Sequence, residues 1–120
     1  MGIPRFEVLN KIEQSRYVLI DHGDDGLAEK EAGEELYLDG EFDGTAQRIL
    51  FHTGISDDYA GQGLASVLVQ QVVEDVIASD RLIVPACPYV AAWLPKHPEY
   101  AEHIVQPTRE HLQALQAAER

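Results

Sequence analysis

Cys87 is the only cysteine of the chain and is followed directly by Pro88 and Tyr89. It stands between an apolar run, Leu82-Ile83-Val84-Pro85, and a segment of helical character, Pro88 to Leu94. A thiol at the start of a helix has its thiolate stabilised, which makes it a nucleophile. Free cysteine is also among the most buried residue types. Three roles are therefore open to Cys87: covalent nucleophile, group lining a reaction site, or core. His52 lies near the end of another apolar run, Arg48 to Ile55. As ends of neighbouring parallel strands, His52 and Cys87 would come close, at the edge where ligands gather. A Cys–His pair activates a thiol; a hydrogen-bonded structural histidine is the competing reading.

A second chemistry belongs to Gly61-Gln62-Gly63, which leads into Leu64 and Ala65. Two glycines let the backbone curl with no Cβ in the way. The N–H groups of the turn and of the helix behind it then point outward, a setting for an anion, typically phosphate. A plain tight turn has the same pattern. With one cysteine, neither an internal disulfide nor a Cys-based zinc site can form. His97 and His103 have no recognised metal spacing and read as surface histidines, so no metal is expected.

These residues need a frame. Apolar residues at 64, 68, 72 and 76, flanked by 65, 69, 73 and 77, predict a helix with a broad apolar face. Strand, glycine turn, helix and strand make a βαβ unit with parallel strands. Ahead of it, Arg16 to Ile20 is rich in strand formers, and Asp21 to Gly26 reads as a turn. Phe6 to Leu9 is a short strand or a lead-in. Leu27 to Leu38 reads from composition as helix or loop, and the acidic run Glu29 to Glu35 as a solvated face. Asp39 to Ala46 reads as another turn. Short turns make the early strands antiparallel. The fold class is α/β of the α+β type: an antiparallel meander followed by a parallel βαβ unit in one mixed sheet. Pro88 to Leu94 is a short helix, closed by Pro95. Thr108 caps a last helix, Arg109 to Arg120, whose few core residues suit loose packing or contact with a second copy, a homodimer.

The order of His52-Thr53, Gly61-Gln62-Gly63-Leu64-Ala65, Pro85-Ala86-Cys87-Pro88 and His97-Pro98-Glu99-Tyr100 resembles the GCN5-related N-acetyltransferases, and more closely their small single-domain subgroup. The resemblance spans about Ser15 to Tyr100 and implies an acetyl-CoA-dependent N-acetyltransferase. It makes Leu27 to Leu38 a strand of the meander. It lays the pantetheine arm along Thr53, Gly54 and Ile55, and the pyrophosphate on Gly61, Gln62, Gly63, Leu64 and Ala65. It makes Cys87 an acetyl acceptor or a lining group, and Tyr89 or Tyr100 the acid that protonates the departing thiolate. The chain departs from the family pattern at the turn. The usual opening Gln or Arg is replaced by Asp58, with Asp57 before it, and no Lys or Arg lies between Arg48 and Arg81. Phosphate would then be held by backbone dipoles alone.

The chain has 120 residues, enough for one domain over 1–120, with a core of about 15–105 and the C-terminal helix at about 108–120. A net charge of −12 disfavours nucleic acid and acidic membranes, and draws an amine rather than repelling it. No stretch approaches the ~18 apolar residues of a membrane span, and Met1 to Lys11 has no signal-peptide core. A cytoplasmic protein is expected. The helices that wall the acceptor site in this family have no room between Ile20 and Leu36, so the acceptor is an open-site amine, on a peptide or protein. The alternative is a catalytically inactive CoA- or acyl-CoA-binding or protein-interaction module on the same fold.

Overall fold

Five strands form one sheet in the computed structural model, which describes residues 4–119. They are β1 (Phe6–Lys11), β2 (Arg16–Asp21), β3 (Lys30–Phe42), β4 (Thr45–Ile55) and β5 (Leu82–Pro85), and they lie side by side in chain order. The first four pair antiparallel. β5 joins β4 in parallel after a crossover through α1 (Leu64–Ala78). Two shorter helices follow, α2 (Pro88–Trp93) and α3 (Arg109–Ala118). The mixed sheet expected from the sequence is present. The Phe6 segment is a true strand, in register with β2 from Phe6↔Asp21 to Lys11↔Arg16.

The turn expected over Asp39 to Ala46 is only Asp43-Gly44. Both residues have positive φ, 52° and 76°. An Asp-Gly pair in that conformation closes a two-residue hairpin whose twist matches its strands. β3 and β4 therefore continue through Gly40 and Gln47 as long paired strands. At the other end β3 begins at Lys30, and Leu27 to Glu29 remain loop.

α1 covers one face of the sheet. Leu64, Leu68, Val69, Val72, Val73 and Val76 are buried against Tyr17, Leu19, Tyr37, Leu50 and Ile83. Fully burying each such side chain stabilises the fold by about 1.5–3 kcal/mol before entropy is counted. An irregularity in β4 decides which of its side chains face α1. Tyr37 pairs with Leu50, but Leu36 pairs with His52, so Phe51 is a bulged extra residue. A bulge of one residue exchanges the two faces of a strand beyond it. Leu50 and Thr53 therefore share the α1 face, and His52 is turned to the other.

α3 is held more firmly than its sequence suggests. Thr108 caps it, and the Thr108 N–H donates to His111 Nδ1 at 2.9 Å. That leaves Nε2 as the donor to Gln47 Oε1 at 2.7 Å, while the ring packs on Phe42. Buried His111 thus ties α3 to the β3–β4 hairpin, and Leu112, 53% exposed, faces outward. Arg120, the expected last residue of the helix, lies outside the described residues.

Candidate active site

β4 and β5 stay together only briefly. Their pairing runs from Gln47↔Leu82 to Leu50↔Pro85. The Leu50 carbonyl then accepts the N–H groups of both Ala86 (3.0 Å) and Cys87 (2.9 Å), and the chain turns away into α2. Beyond Leu50, among the described residues, no strand pairs with the β5-side edge of Phe51 to Ile55. An extended group could add to this edge as a strand does.

Cys87 sits at the fork and is 4% exposed. Its Sγ lies 3.1 Å from Thr53 Oγ1. Thr53 in turn donates to Glu35 Oε1. Glu35 is fully buried, opposite Tyr17 on β2 and Thr53 on β4. Its second oxygen, Oε2, is buried without a hydrogen-bond partner. Burial pushes the Glu35 carboxyl up to about 8, although the Thr53 hydroxyl and the His52 amide pull the other way. The reading of Glu29 to Glu35 as a solvated face therefore fails at Glu35. The closeness of His52 to Cys87 fails as well, because the bulge at Phe51 turns the exposed His52 away and brings Thr53 in.

The glycine turn lies past the free edge. Gly61 and Gly63 both have positive φ, 80° and 72°, and a Cβ on either would meet nothing within 4 Å. Gly63 caps α1 with no side-chain hydrogen bond, so the first-turn N–H groups of Leu64 and Ala65 are not satisfied by a capping side chain. The turn is anchored by Tyr59, whose hydroxyl donates to Asp21 at 2.6 Å. Arg5, Tyr59 and the Gly23 N–H together hold the Asp21 carboxyl well below the usual carboxylate range. The turn also has a cation. Lys30, from the start of β3, reaches Asp58 at 3.1 Å. β3 thus brings to the turn a cation, paired with Asp58, that the expectation of backbone dipoles alone did not include.

Tyr89 is 39% exposed in the first turn of α2. Tyr100 is engaged elsewhere: its hydroxyl donates to Glu74, well along α1, and its ring stacks on Trp93. Trp93 itself is buried and donates to Ser66 on α1. Among the described residues no group of three or more His, Cys, Asp or Glu is placed to hold a metal ion. No helix among them is long and apolar enough to cross a membrane.

A family profile described as GCN5-related N-acetyl-transferase matches residues 17–103. The chain belongs to the GCN5-related N-acetyltransferase family. A solved structure agrees in fold: the NMR structure of a GCN5-like putative N-acetyltransferase from Staphylococcus aureus superposes with a TM-score of 0.59. The likeness covers 91% of this chain and 97% of that one at 20% identity. No curated protein matches the sequence. In this N-acetyltransferase three of the sequence motifs, at His52-Thr53, Gly61 to Ala65 and Pro85 to Pro88, lie at one place, the fork between β4 and β5 and the turn that follows, while His97 and Tyr100 of the fourth pack on Trp93. Two residues of that place, Glu35 and Lys30, carry no motif. Period-two alternation inward from Tyr37 would have pointed to Glu35; only the register of β3 could have pointed to Lys30.

Proposed function

We propose that this N-acetyltransferase takes an acetyl group from acetyl-CoA and delivers it, by way of Cys87, to an amine on a peptide or protein in the cytoplasm. The observation that carries the reading is the free edge of β4 from Phe51 to Ile55, which runs from Cys87 to the glycine turn. The residues present suit the donor. Thr53, Gly54 and Ile55 offer backbone groups to an extended arm. Gly61, Gln62, Gly63, Leu64 and Ala65 offer N–H groups to phosphates, with Lys30 as the cation. Acetyl-CoA supplies an acetyl group already activated as a thioester. Cys87 accepts it, an N–H near Ile55 polarises its carbonyl, and exposed Tyr89 stands ready to donate a proton. His52, on the far face, has its ring beside Gly54, which lines the open cavity on the acceptor side, and we assign it to the incoming amine rather than the thiol.

The acceptor side supports a large substrate. No helix stands between β2 and β3. A shallow cavity of about 260 Å³ lies between the start of β3 and the end of β4, lined by Glu31, Gly33, Glu34, Gly54 and Ile55. Its two carboxylates, shared with Arg16, suit an ammonium group better than an acid. A second reading, binding without turnover, is favoured by the near-complete burial of Cys87. A thermal melt with acetyl-CoA, followed by a CoA-release assay with an amine peptide, tests both. A ligand at a hundredfold excess over its Kd adds about 2.7 kcal/mol, several degrees for a chain of this size. A shift with CoA release supports transfer, and a shift without release supports the binding module. No shift at millimolar acetyl-CoA would overturn both.

A further inference from the structure

Acetyl transfer through Cys87 leaves the buried Glu35 without a part. A fully buried carboxyl with one oxygen unpartnered is expensive to keep in a core. Its one side-chain partner is Thr53, and the other contact of that hydroxyl is Cys87. A hydroxyl carries a single proton. Thr53 gives it to Glu35 Oε1, so in the 3.1 Å contact the thiol is the donor to Thr53 Oγ1. The three groups form a directed chain: Cys87 S–H to Thr53 O–H to Glu35. They come from three separate segments, β3, β4 and the fork after β5.

We propose that Glu35, acting through Thr53, is the proton acceptor that activates the Cys87 thiol. This rests on the reading of Cys87 as the acetyl acceptor. As Cys87 Sγ bonds to the acetyl carbon, the bond from that carbon to the donor's sulfur breaks. The thiol proton passes to Thr53 Oγ1, and the proton of Thr53 passes to Glu35. The displaced CoA thiolate is protonated by solvent or Tyr89. When an amine attacks the acetyl group on Cys87, the sulfur leaves as thiolate and the chain returns its proton. The amine's own proton goes to solvent. Glu35 touches no reacting atom and is a positioning and proton-holding residue.

Its surroundings suit the task. The ionisable groups facing it are Glu34 on its own strand, Tyr17 on β2 and Cys87. Tyr17 is itself committed to Asp75 and Arg48. Among the described residues no cation holds Glu35 ionised, so the form that accepts the thiol proton is the ionised fraction, which grows as pH rises through about 8.

The test is alkylation of Cys87 by iodoacetamide across pH 6 to 10, followed by intact mass, in the full chain without acetyl-CoA. The wild-type rate should rise through about pH 8. Glu35→Gln and Thr53→Val should each slow it at pH 8 by about tenfold or more and move the rise to higher pH. Thr53→Ser, which keeps the hydroxyl, should react like wild type. Wild-type rates and profiles in both Glu35→Gln and Thr53→Val would overturn the proposal. Should Glu35→Gln fail to fold, the contrast between Thr53→Val and Thr53→Ser decides it alone. The donor reading is judged separately by the acetyl-CoA melt, so the two can fail independently.

Discussion

Lys30 Nζ lies 3.1 Å from Asp58 Oδ2 and 5.5 Å from the ring centroid of Tyr59, although 28 residues separate Lys30 from Asp58. The register of β3 thus delivers a cation to a turn whose own sequence holds only carboxylates. Both side chains of the pair are well exposed, so it adds little to stability. Lys30→Gln should leave the melting midpoint without ligand unchanged. It should weaken acetyl-CoA binding roughly two- to fivefold at low salt, with the difference fading at high salt. Calorimetric titration at two ionic strengths checks this.

Glu35→Gln should also change how stability depends on pH. The folded carboxyl is pushed up to about 8, above its ordinary value of 4.5. Between those pH values the folded state holds a proton that the unfolded state has lost, so stability falls as pH rises. The contribution is complete below about 4.5 and gone above about 8. Each tenfold difference in proton affinity is about 1.4 kcal/mol, so the total is of order a few kcal/mol. Glu35→Gln should match wild type at pH 4 to 5 and melt several degrees higher at pH 8. Paired melts across that range check it, and a constant difference at all pH values would contradict it.

Gly33 is held by space, not by backbone angle. A Cβ there would lie 2.6 Å from Ile55 Cδ1 and 2.9 Å from the Gly54 carbonyl. Ile55 can rotate, but the carbonyl belongs to the β4 backbone. Gly33→Ala should cost about 1–3 kcal/mol and displace the free end of β4. The acetyl-CoA-dependent melting shift should shrink with it, whereas Gly44→Ala, on the distant hairpin, should leave that shift intact.

Tyr17 bridges α1 to the sheet. Its hydroxyl donates to Asp75 at 2.7 Å and accepts from Arg48 at 2.6 Å. Arg48 keeps two bonds to Asp39 when that hydroxyl is removed. Tyr17→Phe should therefore cost about 1–3 kcal/mol rather than unfold the chain. Urea denaturation should show a lower midpoint with an unchanged slope.

The chain by itself determined the βαβ unit, the amphipathic α1, the glycine turn and the mixed sheet, because each rests on local periodicity and on glycine and proline chemistry. It placed Cys87 at a strand end for the same reason. The neighbours of Cys87 were decided only in three dimensions. A bulge at Phe51 changes which residues face α1, and no composition rule announces a bulge of one residue. Thr53 thereby replaces His52 beside the thiol. Glu35 and Lys30 sit in one acidic stretch of sequence, yet one is buried beside Thr53 and the other reaches the glycine turn. What separates them is strand register, set by pairing partners far away in the chain, which a local reading of the sequence does not contain.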